Sequence, residues 1–536
     1  MFIGREDELE KIRGAFGKGK AILIYGRRRV GKTSLVLEAS KDADLLMITC
    51  VDGTLKVNLS YIAAEVARFR GTARREYRDY MDMRDELAEV CRERPTVVAI
   101  DEYQYLLKAD DSADSFMQHL IDRDLRGTGS TVILLGSSVS MLKSTAEDGS
   151  RPLYGRFRHI IHLRPLTFYQ CIKFHPGLPK SDALRLYMTV GGIPRYHAEM
   201  DGDSYRGIIE DNCISDDWIA EEASFLMKAD FPESAKYESM LAAVANGSRN
   251  LKAIAEYAGI KEPSCVGMVD KLESNGILTA ENPMLGAPKR NQYVIADDLL
   301  AFRYQILTQR SSMLSPKDGA YDELYPFITT FLGDRFEIFC KDYVVRNYST
   351  KEVGRWWMDD PKRDIHEEID VVARISSRRS SVLLLGECKF KEEPMEMGQL
   401  NVLIRRAKMF QESNNIRLIL FSIGGFEEKL MDYAREAGVM LVGPEELFGD
   451  RPAPQIPERF ASAPHRPSGS ASRCIPERSR NHHPWHTPHC RPGGWCSSRG
   501  PPLSPSPGRT WCTSRCVRPS CRCPRPRAAR PWPLRA

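Results

Sequence analysis

No stretch of the 536 residues offers about 18 uninterrupted apolar positions, so no membrane span is expected. The amino terminus, "MFIGREDELEK", is charged within five residues and lacks the apolar run of a secretory leader, so a cytoplasmic protein is expected. Paired cysteines are also missing from the body. Its seven, at positions 50, 91, 171, 213, 265, 340 and 388, include no CxxC, which fits reduced thiols better than a disulfide frame or zinc site. Residues 451–536 lack Lys and Asp altogether; with 16 Arg and two Glu they carry +14. Residues 1–450 then hold 61 basic and 70 acidic residues, a net −9, so the basic balance belongs to the tail.

At this length two to four domains are expected. Residues 1–165 alternate apolar runs ("AILIYG", "LLMITC", "TVVAID", "TVILLGS") with helical patterns, which predicts an α/β domain with a parallel sheet between helices. Residues 166–230 read as short helices around "VGGIPRY". Over 231–310, "AKYESMLAAVANG", "NLKAIAEYAGI" and "PSCVGMVDKLESNGI" form a helical triplet ended by Gly247, Gly259 and Gly276. Two strand-like runs around a Lys289-Arg290 tip follow, and three helices plus such a wing describe a winged helix. Residues 320–450 alternate again, with strands "EEIDVVARI", "SVLLLGECKF" and "IRLILFSI". The Pro/Arg/Ser/Cys-rich tail from 451 has no apolar periodicity and is expected to be disordered. An arginine-rich strand of this kind binds polyanions with steep salt dependence, and the same composition arises from an out-of-frame reading of GC-rich DNA.

"YGRRRVGKTSL" satisfies G-x-x-x-x-G-K-[ST] at Gly26, Gly31, Lys32 and Thr33, between a buried strand and an apolar-striped helix. Backbone N–H groups of Gly26, Arg27, Arg28, Arg29, Val30, Gly31, Lys32, Thr33 and Ser34 can wrap a phosphate at the helix start. ATP is therefore expected here, with Lys32 on the β- and γ-phosphates and the Thr33 hydroxyl on Mg²⁺. The three consecutive arginines occupy free positions of the motif; they read either as a solvated turn or as extra phosphate or partner contacts. "TVVAIDEYQYL" ends a second apolar strand in Asp101-Glu102, the pattern in which Asp101 holds Mg²⁺ through water and Glu102 deprotonates the attacking water. Ser137 ends a third, in "TVILLGSSVS", where a polar residue senses the γ-phosphate.

"FIGREDELEKI", "YGRRRVGKTSL", "AIDEYQYL", "GSSVSML", "PLYGRFRHI" and "GGIPRY", in that order, resemble the archaeal-type ATPase family, P-loop NTPases related to AAA+ and STAND switch ATPases. The resemblance covers about residues 1–310. It implies an ATP site capped by a helical lid, with Gly4-Arg5-Glu6 near the base. It also implies that Arg156 is a γ-phosphate arginine, supplied in cis or by a neighbouring copy in a homo-oligomer formed through this domain. DNA is an expected partner of the winged helix. Its third helix, however, carries Asp270 and Glu273 beside Lys271, which leaves a packing or partner-docking role open.

A second cluster lies in "EEIDVVARISSRRSSVLLLGECKF". A turn centred on Arg378-Arg379 would place Asp370 opposite Glu387, with Lys389 on the same face. Two carboxylates and a lysine in one patch can bind Mg²⁺ or Mn²⁺ and stabilise phosphate charge. The pattern resembles PD-(D/E)xK nucleases of restriction-endonuclease-like fold, although Ile369 stands where the family has Pro. That resemblance implies Glu337, in "DRFEIFCKDYV", as a supporting metal ligand and Gln399 as an accessory polar residue. It leaves open whether the domain is an active nuclease or an inert one.

Overall fold

A computed structural model describes residues 2–457, except 19–20, 216–217, 232, 286–291, 315–318, 361–364, 377–380 and 411–414. The chain divides into units 1–466 and 467–536, and the second lies outside the described residues. So do the expected tip at Lys289-Arg290 and the turn at Arg378-Arg379.

The first sheet contains β1 (Ala21–Tyr25), β2 (Leu45–Thr49), β3 (Val97–Asp101), β4 (Thr131–Gly136) and β5 (Phe157–His162). They run parallel in the order β2-β3-β4-β1-β5. β1, β3 and β4 are buried along their whole length, because helices cover both faces. Alternate residues serve opposite cores: Ile22, Ile24 and Ile133 pack on one side, Leu23, Val98 and Leu134 on the other. β5 escapes a reading by apolar runs because it is an edge strand written "FRHIIH".

Helices of the 166–230 segment cap this sheet and end in the helix Trp218–Asp230. Helices Ser234–Ala245, Leu251–Ala258 and Glu262–Ser274 follow, then an antiparallel pair of β6 (Leu278–Glu281) and β7 (Gln292–Ile295). A 28-residue helix, Ala320–Asn347, leads into a mixed sheet. Its strands are β8 (Thr350–Asp360), β9 (Ile365–Ser376), β10 (Ser381–Lys389), β11 (Ile416–Ser422) and β12 (Met440–Val442), in the order β12-β11-β10-β9-β8. The apolar core beside β1 continues through the lid and the long helix to Val371, Leu384 and Phe421 of this second sheet. Packing does not stop at residue 450: the Tyr348 hydroxyl donates to the Pro454 carbonyl (2.9 Å) and Arg417 Nε to that of Pro457 (2.6 Å).

Candidate functional site

The turn after β1 is shaped by two glycines. A Cβ on Gly26 would lie 2.3 Å from the Leu163 carbonyl oxygen, so only glycine lets the chain leave the sheet there. Gly31 sits at φ 93° and opens the helix Lys32–Ala39. Inside the turn, Lys32 Nζ donates to the carbonyls of Gly26 and Arg27, both at 2.9 Å. Burial pulls its pKa down, although Glu102 and Asp101 oppose that shift. The Thr33 hydroxyl donates to Asp101 Oδ2 at 2.6 Å, joining the loop to the end of β3. Burial raises the Asp101 pKa against that hydrogen bond.

Glu102 takes a left-handed conformation (φ 53°), which a non-glycine residue adopts only when its surroundings hold it there. Its Oε2 accepts from the Ser137 hydroxyl (2.9 Å), the Ser137 backbone N–H (3.1 Å) and Gln104 Nε2. Burial works to raise the Glu102 pKa. The hydrogen bonds from Gln104 and Ser137 and the charge on Lys32 outweigh it and hold the group below its ordinary value. Lys32, Thr33 and Glu102 face a cavity of about 550 Å³, which Phe174, Pro194 and Phe225 of the lid also line.

The arginine triplet is not a solvated turn. Arg27 pairs with Asp297, just beyond β7. Arg28 Nε donates to Asp230 (2.7 Å) and its Nη2 to the Tyr105 hydroxyl (3.1 Å), while Nη1 lies 3.9 Å from Glu102. Arg29 lies 2.6 Å from Glu222 and over the Phe225 ring at 4.7 Å. Each side chain therefore ties the phosphate loop to a different carboxylate, Asp230 and Glu222 in the cap and Asp297 beyond β7. Arg156 points elsewhere: it donates to Asp122 (2.9 Å) and to the Pro152 carbonyl (2.7 Å), and it is not among the residues that line the cavity.

The second cluster also assembles. β9 and β10 pair in the register Gly386↔Val371 and Ser381↔Ser376, and one further step sets Asp370 opposite Glu387. Glu387 takes Lys389 Nζ at 2.8 Å on one oxygen and Arg406 at 3.1 Å on the other. Asp370 accepts from the Cys388 backbone N–H at 2.8 Å. Burial, then the charge on Asp370, pushes Glu337 well above the carboxylate range; Asp370 is raised by burial and by Glu387. Gln399 Oε1 is buried without a hydrogen-bond partner, two helical turns before Arg406 on the same helix face. Yet among the described residues no three His, Cys, Asp or Glu side chains are grouped so as to hold a metal ion. Glu337, Asp370 and Glu387, the expected ligand set, are not grouped in that way, and Glu387 is paired with Lys389 and Arg406.

Residues 2–200 match the family model described as an ATPase domain predominantly from Archaea. The N-terminal part of this chain is thus similar to that ATPase domain. Residues 302–401 match a second model, described as archaeal and bacterial proteins of unknown function. An uncharacterised protein of Methanocaldococcus jannaschii is 26% identical over 406 residues, covering 73% of this chain and 88% of that one. Among solved structures, a Walker-type ATPase of Pyrococcus abyssi aligns with a TM-score of 0.45 at 19% identity, over 57% of this chain and 96% of that chain. The Aeropyrum pernix ORC2 protein in ADPNP–ADP complexes aligns at 0.41 and 15%, over 58% and 95%.

The structure brings the expected Lys32, Thr33 and Glu102 to one cavity, whose lining residues from the lid were not expected from the sequence. Phe174, Ala198 and Phe225 come from lid segments that no spacing or charge pattern singles out, while Pro194 and Arg195 lie in "GGIPRY", which carried the resemblance but no site role. Sequence reasoning also missed Gln104, whose carboxamide links Glu102 to Ser137. No described helix is long and apolar enough to cross a membrane.

Proposed function

We propose that the protein is an ATP-hydrolysing switch whose phosphate loop communicates with its C-terminal domain. The observation that carries this reading is a lysine ammonium parked on loop carbonyls beside the Thr33–Asp101 contact, at the floor of a nucleotide-sized cavity. When ATP enters, Lys32 leaves those carbonyls for the terminal phosphates. The Thr33 and Asp101 oxygens lie side by side and fit Mg²⁺, which would supply charge neutralisation at the β- and γ-phosphates. Glu102, ionised, accepts the proton of the water that attacks the γ-phosphorus as the bond to the bridging oxygen breaks. Ser137 holds that carboxylate and reports the γ-phosphate. Arg156 serves a neighbouring copy if the domain self-associates. The test is ATP turnover: Lys32→Ala abolishes it, and a variant as fast as wild type ends the assignment.

The C-terminal domain, in this reading, is nuclease-like and directed at DNA. Support comes from Asp370, Glu387 and Lys389 converging opposite the long helix that carries Glu337, and from the unpartnered oxygen of Gln399. The three helices and β6–β7 pair act as a winged helix. Because Asp270 and Glu273 flank Lys271 on its third helix, that helix contributes packing more than DNA affinity.

A second reading, a nucleotide-gated DNA-binding or scaffold protein with an inert C-terminal domain, is favoured by the Arg406–Glu387 contact and by the lack, among the described residues, of a three-ligand group. Cutting of DNA in Mg²⁺ or Mn²⁺, with and without ATP, separates the readings. Activity lost in Asp370→Asn supports the nuclease; DNA retention without cutting under either metal supports the scaffold.

A further inference from the structure

The phosphate loop and the long helix Ala320–Asn347 are far apart in sequence but meet on one short turn, residues 295–298. On one side of it, Arg27 of the loop pairs with Asp297, whose other oxygen accepts from the Leu300 backbone N–H (2.7 Å) and caps the helix Asp298–Phe302. On the other side, Arg335 of the long helix donates to the Ile295 carbonyl (3.0 Å) and lies 3.5 Å from Asp298. Asp297 and Arg335 are both nearly buried, at 5% and 6% exposure, so neither contact is a screened surface pair. Arg335 stands two residues before Glu337 on the long helix.

The loop end of this chain of contacts lies beside the Lys32 ammonium. The Arg27 carbonyl is one of the two that hold the Lys32 ammonium. A phosphate that takes the ammonium removes a hydrogen bond from the residue whose side chain holds Asp297. We propose that Arg27–Asp297 and Asp298–Arg335 form a relay through which nucleotide occupancy of the phosphate loop sets the position of the helix Ala320–Asn347, and with it the Glu337 carboxylate. This deepens the switch reading and rests on ATP binding at the loop.

The experiment is hydrogen exchange of backbone amides in residues 328–346 of the full chain, with and without Mg·ATP, beside a direct measurement of ATP binding. Wild type is expected to change its exchange rate there by about fivefold or more on binding. Asp298→Asn and Arg335→Gln are expected to bind Mg·ATP within about threefold of wild type yet lose that response, which Arg335→Lys restores in part. The relay is overturned if wild type binds Mg·ATP with unchanged exchange in 328–346, or if both variants respond as wild type does through the packed core. Should either variant fail to fold, the other and the lysine variant still decide it. Absence of ATP binding to wild type instead removes the switch reading, and the relay with it.

Discussion

Glu102 shows how a single side chain is prepared. It is held in an otherwise unfavourable backbone conformation by Ser137 and Gln104 and kept ionised by them and by Lys32. Glu102→Gln should therefore retain ATP binding while its turnover falls about 10²- to 10⁴-fold, read from steady-state phosphate release. A second residue-scale prediction concerns the lid. His197 is enclosed with Nε2 at 2.8 Å from the Gly191 carbonyl and Nδ1 at 3.0 Å from His175. Burial depresses its pKa from the ordinary 6.5 to about 4. A depressed histidine binds fewer protons folded than unfolded, so its contribution is present above 6.5 and is lost as pH falls toward 4. Melting temperatures across that window should drop more steeply for wild type than for His197→Gln.

Among the elements, the loop-to-cap ion pairs carry the energetic argument. Arg29 and Glu222 are largely enclosed, with side-chain exposures of 14% and 6%. Glu222→Ala leaves a largely buried guanidinium uncompensated and should cost about 3 kcal/mol, measured by denaturant unfolding. Removing Asp82 from its pair with the exposed Arg78 should leave stability nearly unchanged. The partners of the arginine triplet were not legible in the sequence. Asp230, Glu222 and Asp297 lie about 200 to 270 positions away, beyond any local pattern. β1, β3 and β4 were legible because strands buried on both faces are written as unbroken apolar runs. β8 was not: its "TKEVGRWWMDD" is half charged and its ladder is broken by two register shifts. The Asp370–Glu387 alignment was legible because the strands on either side of the turn pair symmetrically.

At the scale of the molecule, the C-terminal domain is seated on the lid rather than tethered to it. Phe168 meets Phe339 edge-on at 5.5 Å, the Tyr169 hydroxyl donates to the Leu447 carbonyl (3.0 Å), and Arg206 grips both oxygens of Asp322 at 2.8 and 3.0 Å. A displacement of the lid would therefore be felt by the helix Ala320–Asn347 and by the segment around Leu447. The contacts of Pro454 and Pro457 also decide where the chain can be shortened. A chain ending at 457 should match the full-length melting temperature and ATP turnover, and one ending at 450 should melt lower.

The central claim is that the backbone between Gly26 and Thr33 grips the terminal phosphates of a nucleotide. Titration calorimetry of the full-length chain with Mg·ATP tests it most directly. Saturable binding at one site per chain, abolished in Lys32→Ala, is the result predicted. No heat of binding to a folded wild-type protein, or equal affinity in the variant, would contradict it.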